Sequence, residues 1–176
     1  MDAFITIRFD AESTGRIQEL QSLLAKEGIS DYADWLGYPP HITFVRCDDA
    51  ASRLLIQCAG EFAESFRKRS IPLVSLSLFT GNSPVLWLGP LVTSEFLADH
   101  RRLCEQLPLP NHDDYQPDRW VPHVTVAAGM DPGAANAAIS TLLPIYEPIV
   151  AMIEAVEVVS FPPAKVVWRQ VLQIGP

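Results

Sequence analysis

The chain lacks the features that mark several large classes of protein. No apolar run is long enough to cross a bilayer, and the segment from Met1 has no basic stretch ahead of an apolar one. We therefore expect neither a membrane span nor a secretory signal. Cysteine is scarce: Cys47, Cys58 and Cys104 form an odd set without a C-x-x-C pair, which predicts reduced thiols and a cytoplasmic protein. Low-complexity segments and flexible linkers are also missing, which predicts one domain of two lobes over residues 1–176.

Positive charge is in short supply as well. The 13 Lys and Arg residues against 21 Asp and Glu give a formal net charge of −8. An acidic protein repels a phosphate polymer and gains little from counterion release, so we expect no long nucleic-acid footprint. A nucleotide or the end of a short RNA remains a compatible partner, because a local site can override the net charge.

Histidine is rare, yet two of the four histidines occur in the same short motif. The pentapeptides PHITF (residues 40–44) and PHVTV (residues 122–126) each place Thr two residues after His and Pro directly before it. Given the composition, chance produces such a pair roughly once in ten thousand sequences. Residues i and i+2 of a strand share a face, so each motif predicts an imidazole and a hydroxyl side by side on a strand.

This duplicated arrangement indicates phosphate-ester chemistry. Two imidazoles with a pKa near neutrality can serve as acid and base, and two hydroxyls can donate to phosphoryl oxygens. His41 and His123 are the candidate acid and base, while Thr43 and Thr125 are the candidate phosphoryl ligands. No carboxylate pair or Cys/His cluster accompanies the motifs at metal-ligand spacing, so this interpretation requires neither a metal nor another cofactor.

The order of periodic segments predicts the fold. Strand, helix, motif strand, helix and hairpin are followed by helix, motif strand, helix and hairpin. The segments are 3–9, 13–27, 41–46, 48–69 and 72–89, then 94–107, 121–128, 134–143 and 153–174. We expect an α+β fold of two pseudo-symmetric lobes around a central cleft. Each lobe is an antiparallel sheet with helices on its outer face, and each motif lies on one side of the cleft.

The motifs resemble those of the 2H phosphoesterase superfamily, which is defined by two His-x-Ser/Thr-apolar motifs. That superfamily includes bacterial 2′-5′ RNA ligase-like proteins and cyclic nucleotide phosphodiesterases. Phe79, the strand at 85–89, the helix from Ser94 and the closing hairpin also fit, so the resemblance covers nearly the whole chain. It implies a hydrolase: a metal-independent phosphodiesterase that opens the 2′,3′-cyclic phosphate of a nucleotide or short RNA end. Ligase-like members often carry an arginine after the second motif, where this chain has Ala127-Ala128-Gly129, which favours hydrolysis over ligation.

Other side chains are secondary candidates for substrate binding. Arg8 shares the face of Thr6 on the first strand and approaches the phosphate if that strand lies beside a motif strand. The remaining candidates are aromatic residues, most of them in the loops before the motifs, where a nucleobase can stack: Phe79, Trp35, Tyr38, Tyr115 and Trp120. Arg46 has the wrong strand parity for the His41 face, and Arg119 lies in a loop whose direction the sequence leaves open. His100 is predicted on a helix surface and His112 in a solvated loop.

Several alternatives stay open at this stage. The same chemistry serves a 2′-5′ phosphodiesterase, an RNA ligase or an enzyme acting on a non-nucleotide cyclic phosphate. A non-catalytic nucleotide-binding module can use the same cleft, and a metal protein with two histidine ligands is a third class. The sequence does not decide which histidine is the base, nor the oligomeric state.

Overall fold

The chain folds into an α+β structure in which helices pack against one antiparallel sheet. The computed structural model describes residues 2–48, 52–109 and 113–175. In those ranges the elements are, in chain order, β1 (Asp2–Phe9), α1 (Ala11–Lys26), α2 (Tyr32–Leu36), β2 (His41–Asp48), α3 (Ser52–Ser65), β3 (Arg69–Phe79), β4 (Val85–Pro90), α4 (Ser94–Glu105), β5 (Val124–Ala127), α5 (Pro132–Leu142), β6 (Ile149–Phe161) and β7 (Lys165–Val171). The predicted α+β class is confirmed. None of the described helices is long and apolar enough to cross a membrane.

The two lobes share a single sheet of seven strands. Its order is β2-β1-β6-β3-β4-β5, with β7 paired to β6. The long strand β6 joins the lobes, because residues 149–153 pair with β3 while the rest pairs with β1 and β7. The lobe of the first motif strand, β2, therefore includes the closing hairpin of β6 and β7. The lobe of the second motif strand, β5, includes the earlier hairpin of β3 and β4. The lobes are interleaved in the chain and do not correspond to its two halves.

The motif strands lie at opposite ends of the sheet and still approach each other. The sheet must curl to bring its ends together, and this forms the cleft. Ile42 and Phe44 of β2, and Val124 and Val126 of β5, are buried behind that cleft, as the alternation predicted. Burying each such side chain stabilises the fold by about 1.5–3 kcal/mol, so the motif strands are anchored from behind.

A β-bulge in β2 reverses the direction of the residues that follow the first motif. Thr43 pairs with Thr6 while Val45 pairs with Ile5, so Phe44 is the extra residue of the bulge. Phe44 and Val45 are both fully buried, and Arg46 consequently points to the same face as His41 and Thr43. The prediction that Arg46 faces away is wrong, because strict alternation assumes an uninterrupted pairing register.

Three further predictions of local structure are wrong. Residues 30–40, which lie between two predicted elements, contain the short helix α2, and Asp48, expected to open a helix, is the last residue of β2. The strand expected over 121–128 covers only Val124–Ala127, so His123 directly precedes β5. Residues of α2 line the cleft, and pairing with β1 extends the first motif strand to Asp48.

His100 is a core residue and not the surface residue that its polarity suggested. It is 1% exposed, and its ring lies parallel to Trp120 with the ring centroids 3.7 Å apart. Nε2 donates a hydrogen bond of 3.0 Å to the carbonyl of Phe44, which can only accept. Burial lowers the pKa of His100 to about 4, so the ring is neutral near pH 7. His112 lies outside the described residues.

Candidate active site

The two motif histidines are held in the same way. Nδ1 of His41 lies 2.9 Å from the carbonyl oxygen of Pro39, and Nδ1 of His123 lies 2.7 Å from that of Val121. A carbonyl oxygen accepts hydrogen bonds only, so Nδ1 carries the proton in both rings. Nε2 is therefore the nitrogen left to take up or release a proton. The two motifs present equivalent reactive atoms.

Two tyrosines cross the space between the motifs. Tyr32 precedes the first motif, yet its phenol interacts with the side chain of Thr125 in the second, and this interaction lowers the pKa of the phenol against the effect of burial. Tyr115 precedes the second motif, and its phenol interacts in the same way with the side chain of Thr43 in the first. Burial raises the pKa of both phenols, that of Tyr32 to about 12, so both remain protonated. The crossed contacts bring the two threonines to one shared cleft.

Tyr32 was missed by the sequence interpretation. It lies in the segment predicted as loop, where strand and helix periodicity give no direction for a side chain. A usable indication was present, because Tyr32 precedes His41 by nearly the same number of residues as Tyr115 precedes His123. Treating the motif repeat as a repeat of its flanking tyrosines would have identified it.

The imidazoles are close enough to influence each other. Burial, together with the charges of Arg8 and His123, lowers the pKa of His41 to about 4, and the bond to Pro39 opposes these effects. Burial also lowers the pKa of His123, against the bond to Val121. Both histidines are therefore neutral near pH 7 in the free protein.

Tyr38 packs against His41 and is itself firmly held. The ring centroids are 4.8 Å apart, and the Arg8 guanidinium lies 5.1 Å from the Tyr38 centroid. The Tyr38 hydroxyl donates to Glu157 at 2.5 Å and lies 2.8 Å from the Thr6 hydroxyl. Tyr38 is 9% exposed, so little of its ring is left for a nucleobase. This geometry is that of a residue that positions His41.

Arg8 lies where its strand parity predicted. It pairs directly opposite His41 in the ladder between β1 and β2, and it is almost buried. Its Nε has no hydrogen-bond partner among the described residues. A buried guanidinium beside the imidazole disfavours a second positive charge there, which is the direction of its effect on the pKa of His41.

On the other side of the cleft, Phe79 and Trp87 support His123. The Phe79 ring meets the imidazole edge to face at 5.0 Å, and Phe79 and Trp87 stack at 4.8 Å. Trp87 faces Thr125 across the β4–β5 ladder. A Cβ at Gly89 would lie 2.2 Å from the Ser75 Oγ and 3.3 Å from the Trp87 ring, so a larger residue there would displace the Ser75 hydroxyl and press on the Trp87 ring. Phe79 therefore lies at the site, as the sequence indicated, and Trp87 is an addition.

The threonine carbonyls of both motifs are satisfied by side chains from outside the sheet. The Trp120 indole N–H donates to the carbonyl of Thr43 at 3.0 Å, and the Gln21 amide donates to that of Thr125 at 3.1 Å. Since β2 and β5 are the end strands of the sheet order, these side chains replace a missing neighbouring strand. Both bonds fix the backbone of a motif threonine.

Trp120 has no free face for a ligand. It is 8% exposed, stacks on His100 and lies nearly parallel to Phe96 at 5.8 Å. The hypothesis that a nucleobase stacks on Trp120 is therefore wrong, because core packing already uses the ring. Its indole N–H supports the first motif instead.

The cleft has two chemically different ends. Beside His41 lies an apolar cavity of about 200 Å³, and Trp35 at its wall is 67% exposed. Beside His123 lies a charged cavity of about 410 Å³ that includes two arginines and an aspartate. The apolar cavity is lined by Phe4, Thr6, Tyr32, Trp35, Leu36, Tyr38, His41, Thr43, Val159, Phe161 and Ala164. The charged cavity is lined by Arg46, Phe79, Asp114, Tyr115, Arg119, Trp120, Val121 and His123.

Comparisons with known proteins identify the family of the chain and structures with the same fold. Residues 9–162 match the family model of the 2′-5′ RNA ligase superfamily. A search of curated proteins found no significant match. Solved structures with the same fold include Kluyveromyces marxianus Usb1, with a TM-score of 0.55, 11% identity and coverage of 98% of each chain. The same protein with uridine monophosphate gives 0.50, 12% identity and 98% of each chain. Escherichia coli LigT complexed with NADP+ gives 0.53 and 14% identity, covering 97% of this chain and 96% of that one.

Proposed function

The chain belongs to the 2′-5′ RNA ligase superfamily, and from this premise we propose that it is a metal-independent phosphodiesterase. Its proposed substrate is the 2′,3′-cyclic phosphate of a nucleotide or a short RNA end. The observation that carries the proposal is the pair of imidazole–hydroxyl motifs that face one cleft, with both Nε2 atoms left to react. The nucleotides in the similar structures of LigT and Usb1 support a nucleotide as the substrate class.

The proposed reaction uses one histidine in each protonation state. A neutral imidazole takes a proton from water at Nε2 as the water oxygen attacks phosphorus. The bond from phosphorus to the 2′ or 3′ oxygen of the ribose breaks, and the protonated imidazole donates its Nε2 proton to that oxygen. The product is a phosphomonoester, and the two histidines have exchanged their protonation states. Thr43 and Thr125 donate to the non-bridging oxygens, where negative charge accumulates.

The electrostatics of the two sides favour His41 as the base of the hydrolytic step. Arg8 lies opposite His41 in the ladder, and its charge favours the neutral imidazole. His123 packs against the Phe79 ring, and burial is what lowers its pKa. Binding of a phosphate anion raises the pKa of an adjacent imidazole, and we propose that His123 is the one that takes up the proton.

The nucleoside is proposed to lie towards the apolar cavity. Trp35 has the largest exposed aromatic surface there, and Phe161 meets it edge to face at 5.9 Å. A base–aromatic stack contributes about 1–3 kcal/mol.

We also propose that residues 1–176 act as one catalytic unit in the cytoplasm. All three cysteines are free thiols, which supports a reducing location.

Incubation with a nucleoside 2′,3′-cyclic phosphate in EDTA tests the proposed activity. We expect the substrate to be converted to a nucleoside monophosphate at the same rate with and without the chelator. The product is followed by anion-exchange chromatography. Loss of activity in EDTA would support a metal protein with histidine ligands, and tight binding without any product would support a nucleotide-binding module.

The pH dependence gives a second test. The step needs one neutral and one protonated histidine, and kcat/KM reports the pKa values of the free enzyme. The pKa values of His41 and His123 are both below that of an ordinary histidine. As pH rises, the protonated histidine that the reaction needs is therefore lost already below pH 6.5, so kcat/KM should peak below that pH. Above the peak it should fall about tenfold per pH unit, since one proton must be bound. Initial rates between pH 5 and 8.5 check this, and a kcat/KM that rises from pH 6.5 to 8 contradicts it.

A further inference from the structure

We propose that the charged cavity beside His123 binds a second phosphate group of the substrate, on the 5′ side of the nucleoside that carries the cyclic phosphate. The preferred substrate is then a 5′-phosphorylated 2′,3′-cyclic nucleotide or an RNA 3′ end, and not a bare nucleoside cyclic phosphate. This inference rests on the proposed function and identifies the substrate class of the same site.

The first observation is the direction of Arg46. The bulge at Phe44 turns the Arg46 side chain to the cleft face, and the Arg46 guanidinium lines the cavity together with Tyr115 and His123. Arg46 lies 3.1 Å from Asp113, whose side chain is fully buried, while 46% of its own side chain is exposed. The buried carboxylate holds the guanidinium in place and leaves part of it facing the cavity. A planar guanidinium with free donors suits a phosphate group.

The second observation is Arg119, which lines the same cavity. Its guanidinium lies 3.6 Å from Asp114, and both side chains are at least half exposed. Exposed ion pairs of this kind contribute at most about 1 kcal/mol, so a phosphate dianion can displace the carboxylate from the arginine. Arg46 and Arg119 are thus two cations at one end of a cleft in a chain of net charge −8.

The third observation is the contrast with the other end. Among the described residues, none of those that line the apolar cavity is Asp, Glu, Lys or Arg. In a ribose the base is attached to C1′, next to C2′, and the 5′ oxygen is attached through C5′ to C4′, next to C3′. A cyclic phosphate on O2′ and O3′ therefore has the base on one side and the 5′-phosphate on the other. A cleft with an apolar end and a cationic end matches that order.

The test compares adenosine 2′,3′-cyclic phosphate with and without a 5′-phosphate. Charge-assisted hydrogen bonds predict that the wild type favours the 5′-phosphorylated form by at least about tenfold in kcat/KM. The variant Arg46→Gln/Asp113→Asn removes both members of the ion pair and leaves no unpaired buried charge. It should bring the ratio of the two kcat/KM values close to one, and Arg119→Gln should lower that ratio in part. The matched control is Arg53→Gln, an exposed arginine of α3 that lines neither cavity, and its ratio should equal that of the wild type.

Binding measurements separate this inference from the proposed activity. Calorimetry with adenosine 3′-phosphate and adenosine 3′,5′-bisphosphate measures the same preference without turnover. Tighter binding of the bisphosphate, lost in the Arg46→Gln/Asp113→Asn variant, supports the subsite even if neither cyclic substrate is hydrolysed. Equal affinity of the wild type for the two ligands, or a preference that the variant retains, overturns it.

Discussion

Replacement of either motif histidine by alanine is expected to lower kcat for 2′,3′-cyclic nucleotide hydrolysis by about 10²–10⁴-fold, the range typical of a lost general acid or base. Each ring is anchored at Nδ1, so Nε2 alone exchanges the proton. The described side chains beside the rings include aromatic Tyr38 and Phe79, and cationic Arg8 lies opposite His41 in the ladder. No neighbour of that kind can replace a missing imidazole near neutral pH. His41→Ala and His123→Ala should therefore be similarly impaired.

Steady-state kinetics of both variants and of the double variant check this expectation. Residues that act in one step are not additive, so the double variant should be little worse than the poorer single variant. Thermal melting and binding of adenosine 3′-phosphate serve as controls for folding and for an intact cleft. Undiminished turnover in either single variant would end the case for two-histidine catalysis.

Removal of either motif hydroxyl is expected to have the second-largest effect. Thr43→Val and Thr125→Val keep the branched shape that suits a strand but remove the donor to the phosphoryl oxygens. The loss of one donor to developing negative charge lowers kcat by about 10²–10³-fold. Because these bonds matter most in the transition state, KM should change much less than kcat.

The matched control is serine at the same positions. Thr43→Ser and Thr125→Ser keep the hydroxyl, so they should retain far more activity than the valine variants in the same assay. Each valine variant also removes the hydroxyl that contacts a crossing tyrosine, and melting curves report any cost of that loss to the fold. If serine and valine were equally damaging, the hydroxyl would have no catalytic role and the effect would be one of packing.

The near-symmetry of the catalytic groups contrasts with the asymmetry of their surroundings. Both histidines and both threonines have equivalent supports, namely a carbonyl two residues earlier and a side-chain donor on the threonine carbonyl. The two ends of the cleft, in contrast, are apolar and charged. Symmetric groups suit a reaction in which acid and base exchange roles, and asymmetric ends fix which way round the substrate lies.

The strand geometry of the first motif could be predicted from the sequence because it depends on neighbouring residues only, whereas in the second motif the strand begins at Val124, one residue after His123. Alternation along a strand puts His41 and Thr43 on one face and Ile42 on the other, whatever the rest of the chain does. The same holds for Arg8, which shares a face with Thr6. The order of helices and strands, and hence the α+β class, follows from the same local periodicities.

The tertiary structure decided what depends on contacts between distant segments. The bulge that turns Arg46 into the cleft arises from the register between β1 and β2. The burial of His100 and Trp120 depends on their packing against each other and against Phe44. The crossed tyrosines and the interleaved hairpins require the sheet to curl and join its two lobes through β6. Periodicity carries no information about pairing register or about which hairpin completes which lobe, because those are settled by long-range packing.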